Sequence, residues 1–287
     1  MKQGKLLELG TQQLRLESGK VIKHFSKDLL LEALKHRRLA QIGAEHGFRM
    51  PKLIAQDVER STLTYEFIDE LTSSRQHFLD YTLRGPDATR DAVQEALFTQ
   101  IGQTLAVIHR RLDIQPVAVW RAPPVFDRVV RAFTGNDTAA LLEHTPQAEL
   151  HGDFGFSNVC HTLPEPLRLI MIDPSPNSYS SFACNERASV YLDIGKFSLC
   201  LRGLVPRNSY LRMRRPRAAK LRELFLQGYA DESRVAIEMN VLEVVERALL
   251  TCKIRHEMRS ALARTAAGIL LFGLKDGRVI GRIANAK

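Results

Sequence analysis

The chain has 287 residues, of which 45% are apolar and 25% are charged. This composition supports a sizeable buried core in one large domain or two lobes, and it excludes global disorder. The formal net charge of +9 favours anionic partners, such as a nucleotide, a phosphorylated substrate or an acidic membrane surface.

Local composition argues against a membrane or secreted protein and against a protein built on zinc or disulfide bonds. The longest apolar stretch, around residues 266–274, is far shorter than the roughly 20 residues of a membrane-spanning helix, and the first thirty residues show no signal-peptide pattern. A zinc site and a dense disulfide framework are disfavoured because the four cysteines are far apart and form no CxxC pair: Cys160, Cys184, Cys200 and Cys252. We therefore expect a cytoplasmic protein with free thiols.

The first 69 residues are predicted to be rich in strands. Alternating apolar residues predict strands at 6–9, 13–16, 21–25, 52–55 and 62–68. One helix interrupts them, beginning after Ser26 or Asp28 and ending before Gly47.

Beyond Asp69 the periodicity becomes mostly helical. A long helix is predicted after Gly85-Pro86, with an apolar face from Val93 to Leu112. Two strand candidates follow at 158–161 and 167–172, and helices are predicted at 194–201, 218–229, 236–253 and 255–272. The pattern predicts an α+β protein with a small strand-rich lobe (1–69) and a larger helical lobe (70–287).

The strongest chemical signal is the segment from His151 to Asn158, which reads His-Gly-Asp-Phe-Gly-Phe-Ser-Asn. It places Asp153 and Asn158 in one loop before an apolar strand, and Asp173 ends the next apolar strand. Phosphoryl transfer needs this combination, because one carboxylate orients the attacking hydroxyl while an amide and a second carboxylate hold magnesium.

On these residues the chain resembles the aminoglycoside phosphotransferase and choline kinase branch of the protein-kinase-like superfamily. The resemblance covers most of the chain. Val21-Ile22-Lys23 is similar to the strand with the phosphate-pairing lysine, and Glu32-Ala33-Leu34 to the helix with its partner glutamate. Similar segments also occur at 64–68, the adenine-binding linker, at 101–109, the helix before the catalytic loop, at 191–194, and at 224–229.

The resemblance implies a two-lobed kinase fold that uses ATP and Mg2+. It makes Asp153 the base or orienter of the substrate hydroxyl, and it assigns magnesium to Asn158 and Asp173. Lys23 would contact the phosphates and be held in place by Glu32.

Five further positions receive supporting roles. Backbone groups of Glu66, Phe67 and Ile68 would hold adenine, and His151 and Asp193 would steady the catalytic loop. Competing interpretations remain open from the sequence, because Lys23 could be an exposed edge lysine, Glu32 a surface glutamate and Asp193 a plain helix N-cap.

Two features depart from the pattern of the family. The only candidate for a phosphate-binding glycine loop is Leu9-Gly10-Thr11, close to the amino terminus. Asp173 is followed by Pro174-Ser175-Pro176 rather than Phe-Gly, which argues against the conformational switch of protein kinases.

The leading functional hypothesis is phosphorylation of a small-molecule hydroxyl, with an anionic metabolite, a sugar or a glycolipid head group as the acceptor. Seven Lys or Arg residues and no acid lie between Leu201 and Lys220, which disfavours a polycationic acceptor and makes Arg212–Arg217 a candidate membrane contact. The alternatives are an atypical bacterial protein kinase and a nucleotide-binding pseudokinase. A nucleic-acid partner is disfavoured because this stretch offers only Tyr210 for base stacking.

Overall fold

The computed structural model describes residues 5–9, 12–17, 19–25, 29–69, 71–115, 118–162, 168–174, 186–204 and 207–286. The amino-terminal part contains, in chain order, β1 (Lys5–Leu9), β2 (Gln12–Glu17), β3 (Lys20–His24), α1 (Leu29–His46), β4 (Phe48–Arg49), β5 (Leu53–Asp57) and β6 (Thr62–Glu66). A five-stranded antiparallel sheet has the order β1-β2-β3-β6-β5, and α1 packs against it.

The rest of the chain is mostly helical. It contains β7 (Thr72–Ser73), α2 (Ser74–Leu83), α3 (Ala88–Arg111), β8 (Ala118–Val119), α4 (Pro124–Thr134), α5 (Thr138–Leu142), β9 (Gln147–Glu149), β10 (Val159–Thr162), β11 (Arg168–Met171), β12 (Glu186–Ser189), α6 (Tyr191–Leu201), α7 (Arg207–Arg212), α8 (Arg215–Ser233), α9 (Met239–Glu257) and α10 (Ala261–Asn285). Two small sheets have the orders β4-β11-β10-β7 and β8-β12-β9. The predicted α+β class is confirmed, as a strand-rich amino-terminal part is followed by a helical part.

Helices α3 and α8 pack closely at the centre of the helical part. Asp87 caps α3 by accepting a hydrogen bond from the backbone N–H of Arg90. A Cβ atom at Gly102 would lie 2.1 Å from the Phe225 carbonyl oxygen, so only glycine allows the two backbones to approach this closely. The contact holds α3 against α8, and α3 also contacts β9, the strand before the loop that contains Asp153.

The two parts of the chain share one large core. Phe48 and Met50 pack in the core of the helical part, whereas the core cluster under the first sheet consists of Leu29, Ala33 and two residues of β6. β4 also pairs in parallel with β11. The predicted boundary at Asp69 stays a prediction, and these contacts show that packing crosses it.

Several boundaries differ from the sequence predictions. The strand predicted to reach Ile68 ends at Glu66, where the chain leaves the sheet. The predicted break between the last two helices lies near Ser260, because this residue caps α10. α10 also reverses direction at Gly273, whose φ is +83°, and its halves touch where Gly268 faces Gly277.

Four of the described helices, α2, α4, α5 and α7, have no counterpart in the sequence predictions. Within the described ranges, no helix is long and apolar enough to cross a membrane. Of the cysteines, Cys160, Cys200 and Cys252 carry no disulfide, and Cys184 lies outside these ranges.

Candidate active site

The loop between β9 and β10 is held by the buried carboxylate of Asp193 in the first turn of α6. Asp193 accepts hydrogen bonds from the backbone N–H groups of His151, at 2.7 Å, and Gly152, at 3.1 Å. His109 Nε2 lies 3.3 Å from the same carboxylate, and His109 Nδ1 lies 3.0 Å from the Tyr229 hydroxyl. Burial alone would raise the pKa of Asp193, but the hydrogen bond and charge of His109 outweigh it and hold this pKa below its ordinary value. An ionised carboxylate therefore fixes the loop backbone.

Asp153 lies in this loop, with its side chain 19% exposed. Its carboxylate forms an ion pair with the ammonium group of Lys196 on α6, and its carbonyl oxygen accepts a hydrogen bond from Asn158 Nδ2 at 2.9 Å. Lys35 on α1 donates to the His151 carbonyl oxygen at 2.8 Å, so the amino-terminal part also supports the loop. The His151 ring is buried, and burial lowers its pKa to about 4, which makes the ring neutral at neutral pH.

Lys23 on β3 joins two carboxylates from distant parts of the chain. Its Nζ lies 2.5 Å from Asp173 Oδ1 and 2.7 Å from Glu32 Oε1. Lys23 and Glu32 are buried, whereas the Asp173 side chain is 36% exposed. Neither Lys23 nor Glu32 is the exposed surface residue that the competing interpretations supposed.

Asp173 has a φ of +51°, in the left-handed region that residues other than glycine seldom adopt. Such a conformation persists only where the surroundings enforce it, and it is common at functional sites. The enforcing contacts here are the Lys23 ion pair and the hydrogen bond from the Ile172 N–H to the Asn158 carbonyl oxygen, at 2.9 Å.

Burial and oppositely charged neighbours have opposite effects on the pKa values of Lys23 and Glu32. Burial lowers the pKa of Lys23, but the carboxylates of Asp173 and Glu32 more than offset it, so the pKa is raised overall. For Glu32 burial is the larger effect and raises the pKa to about 7, against the opposing influence of Lys23. A permanent cation thus lies between the sheet and the helical part.

A cavity of about 330 Å³ opens beside this cluster, within the range typical of small-molecule sites. Apolar side chains cover much of its wall, among them Val21, Tyr65 and Ile172. All the residues predicted to bind nucleotide or metal line it, namely Lys23, Glu32, Glu66, Phe67, Ile68, Asn158 and Asp173.

The predicted adenine-binding linker borders this cavity just after β6. The Glu66 carboxylate accepts hydrogen bonds from Arg49 Nη2 and the Lys52 N–H, both at 2.6 Å. The backbone N–H groups of Glu66 and Phe67 donate to the carbonyl oxygens of Lys52, at 2.9 Å, and Gly19, at 3.0 Å. The Glu66 side chain and two of the three linker N–H groups therefore have intramolecular partners.

The donor atoms of Asn158 and Asp173 suit magnesium. Because Asn158 donates through Nδ2 to Asp153, its amide oxygen is the atom that can serve as a ligand. Amide and carboxylate oxygens are the hard ligands that Mg2+ prefers, and Mg2+ completes its shell with water and substrate phosphates. Among the described residues, no group of three or more His, Cys, Asp or Glu side chains could hold a metal ion by itself. The pair therefore fits a metal that is bound together with nucleotide.

A second, smaller cavity of about 90 Å³ lies beside Asp153. Its lining includes Asp153, Ser157 and the cationic residues Arg75, Lys196 and Lys253. Ser157 also lines the first cavity, so both cavities border the loop between β9 and β10.

Comparison with solved structures finds the same architecture at low sequence identity. A choline/ethanolamine kinase family protein from Mesorhizobium loti is 14% identical, with a TM-score of 0.55 over 98% of this chain and 85% of that chain. For the choline kinase LicA from Streptococcus pneumoniae, the identity is 14% and the TM-score 0.55, over 99% and 94% of the two chains. An aminoglycoside phosphotransferase from Streptomyces rimosus is 13% identical, with a TM-score of 0.50 over 86% and 91%.

The chain has the protein-kinase-like fold of these proteins. The resemblance seen in the sequence is thereby confirmed at the level of the fold. No family model and no curated protein sequence matches the chain.

Within this kinase-like fold, sequence analysis missed five residues that the structure places around the loop between β9 and β10: Lys35, Arg75, His109, Lys196 and Lys253. A signal existed for Lys196, which lies three residues after Asp193 and so shares a helix face with it. His109 lies within the segment that resembles the helix before the loop. Nothing in the sequence around Lys35 or Arg75 separates them from ordinary surface cations.

Arg215 and Arg217, in the basic stretch between Leu201 and Lys220, make intramolecular contacts. Arg217 forms a two-pronged ion pair with Asp91, at 2.6 and 2.8 Å, and its guanidinium stacks on the Tyr81 ring. Arg215 lies over the Tyr210 ring. A membrane contact through Arg212–Arg217 stays a prediction, and within this stretch Arg217 is already paired with Asp91.

Proposed function

We propose that the protein is an ATP- and magnesium-dependent phosphotransferase that acts on a hydroxyl group of a small molecule. One observation carries the proposal: Ser157 lines both the cavity with Lys23, Asn158 and Asp173 and the cavity with Asp153. A phosphate donor in the first cavity and a hydroxyl in the second would meet at the catalytic loop. The kinase and phosphotransferase names of the structural neighbours support the same reaction class.

In this proposal Asp153 orients the acceptor hydroxyl and accepts its proton. The new O–P bond forms as the bond from the γ-phosphorus to the ADP oxygen breaks, and ADP leaves. Asn158 and Asp173 would hold magnesium, which neutralises the phosphates when it is bound. Lys23, fixed by Glu32, would contact the same phosphates, and it exchanges part of its present pairing with Asp173 for them.

The adenine base would lie against the linker after β6. Since the N–H groups of Glu66 and Phe67 have partners, we expect the Ile68 N–H and the linker carbonyl oxygens to recognise the base. The apolar walls formed by Val21 and Ile172 would enclose the ring. The phosphate loop at Leu9-Gly10-Thr11 has two residues outside the described ranges, so its role stays a prediction.

A thermal-shift titration with ATP, with and without magnesium, tests the nucleotide site. Ligand at about a hundred times its dissociation constant stabilises the folded state by about 2.7 kcal/mol. We expect a magnesium-dependent shift in the wild type, its loss in Asp173→Ala, and its retention in Asp231→Asn, which alters an exposed acid on α8. Absence of any shift at millimolar ATP would refute the nucleotide site. A shift without turnover on any small molecule or protein would favour the pseudokinase, and labelling of proteins alone would favour the protein kinase.

A further inference from the structure

The cavity beside Asp153 is bordered by cations from three different helices. Arg75 comes from α2, Lys196 from α6 and Lys253 from α9, and among the described residues that line the cavity Asp153 is the one acid. Three positive charges and one negative charge therefore face the place where an acceptor hydroxyl would bind.

The cationic residues are attached to fixed parts of the fold. Arg75 follows Ser74, whose hydroxyl donates to the Phe156 carbonyl oxygen in the catalytic loop at 3.2 Å. Helices α6 and α9 touch closely beside Lys196, since a Cβ atom at Gly195 would lie 3.0 Å from Val245 Cγ1. The three charges are thus anchored to the loop and to packed helices.

Each of the cations has a different environment. Lys196 is buried and contacts the Asp153 carboxylate. Lys253 forms an ion pair with Glu257 at 2.5 Å, but Glu257 is 44% exposed, and surface pairs of this kind contribute only about 0–1 kcal/mol. Arg75 is exposed at the rim, where its planar guanidinium can bind a phosphate or carboxylate through two hydrogen bonds.

We propose that the acceptor is an alcohol that also carries a phosphate or carboxylate group, and that Arg75 and Lys253 bind this group while its hydroxyl faces Asp153. The inference rests on the proposed function and specifies its substrate class. The site selects against choline-like or aminoglycoside-like acceptors, because a cationic group would meet Arg75 and Lys253, while the Asp153 carboxylate is already paired with Lys196. With a volume of about 90 Å³, the cavity admits only the reacting end of the acceptor.

An anionic group on the acceptor leaves the phosphoryl transfer itself unchanged. The acceptor oxygen gains the γ-phosphoryl group, its proton passes to Asp153, and ADP leaves. The anionic group of the acceptor takes no part in the bond changes and serves only for binding.

The test compares matched acceptors in an ADP-release assay. The panel holds glycerol, glycerol 3-phosphate, glycerate, choline and kanamycin, and the variants are Arg75→Gln, Lys253→Gln and, as a control, Arg212→Gln on the exposed end of α7. ATP binding is followed separately by thermal shift in every variant. A loss of nucleotide binding is thereby distinguished from a loss of acceptor binding.

We expect turnover on glycerol 3-phosphate or glycerate and much weaker turnover on glycerol. Arg75→Gln and Lys253→Gln should each raise the KM for the anionic acceptor by about 10–100-fold, the loss expected for a charge-assisted hydrogen bond, without changing the KM for ATP. Turnover on choline or kanamycin in preference to the anionic acceptors would overturn the inference. So would a KM for the anionic acceptor that neither substitution changes. A protein that binds no ATP and phosphorylates nothing would instead refute the proposed function.

Discussion

Lys196 places its ammonium group on the carboxylate of Asp153. The same helix holds the backbone of the loop, because Asp193, three residues earlier, accepts hydrogen bonds from His151 and Gly152. One turn of α6 therefore positions both the main chain and the side chain of the candidate catalytic residue.

Replacing Lys196 with Met should lower kcat by about 10–100-fold while leaving the KM for ATP near its wild-type value, because the proton-accepting carboxylate loses its orientation. Steady-state kinetics on an identified acceptor measures both parameters. The double variant with Asp153→Asn is the control. If Lys196 acts through Asp153, the second substitution adds little, whereas fully additive effects would contradict this relationship.

Replacing Asp193 with Ala should destabilise the protein by about 3–5 kcal/mol, because the buried N–H groups of His151 and Gly152 lose their acceptor. Urea unfolding measures the change, and Asp231→Asn on the surface serves as the comparison. A variant as stable as the wild type would show that the loop does not depend on this carboxylate.

A substitution of Gly102, at the contact between α3 and α8, should strongly destabilise the protein. A Cβ atom there would lie 2.1 Å from a backbone oxygen, which cannot move aside as a side chain can. We expect Gly102→Ala to lower the free energy of unfolding by about 3 kcal/mol, at the upper end for overpacking. Gly85→Ala is the matched control, since a Cβ atom at Gly85 meets no atom within 4 Å. Equal stability of the two variants would contradict the proposed packing.

Two histidines with lowered pKa values should make the stability of the folded protein sensitive to acid. Burial lowers the pKa of His151 to about 4, and burial together with repulsion from His161 lowers the pKa of His77 to about 4, from an ordinary value of 6.5. Between pH 6.5 and pH 4 the unfolded chain therefore binds protons at these histidines that the folded protein does not bind. The free energy of unfolding is not lowered by them above pH 6.5, and it declines as the pH falls toward 4.

Each such histidine adds a slope of up to about 1.4 kcal/mol per pH unit to the free energy of unfolding. Glu32 gives a slope of opposite sign, because its pKa is raised to about 7, so the contribution of His77 is measured as a difference between variants. In urea midpoints measured from pH 8 to pH 5, His77→Gln should lose less stability on acidification than the wild type. His144→Gln, at an exposed position, should keep the wild-type slope. A His77→Gln profile identical to that of the wild type would contradict the prediction.

The order and class of the elements could be predicted from the sequence because apolar periodicity is a local property. The hairpin of β2 and β3, the helix α1 and the long helix α3 all follow from it. Helix α2 could not be predicted in the same way, since its sequence lacks a clear apolar stripe and only four of its residues are buried. Packing against α8, rather than intrinsic preference, places it.

Asp153, Asn158 and Asp173 could be predicted as candidate catalytic residues from the sequence, because they stand at the ends of short local elements in a recognisable order. The cations around them come together only through the packing of distant segments. Lys35 reaches the His151 carbonyl oxygen from 116 residues away, and Arg75, Lys196 and Lys253 meet only where three helices pack. Apart from Lys196, which shares a helix face with Asp193, these cations have the same local pattern as cations on a solvated surface, so their placement depends on long-range packing.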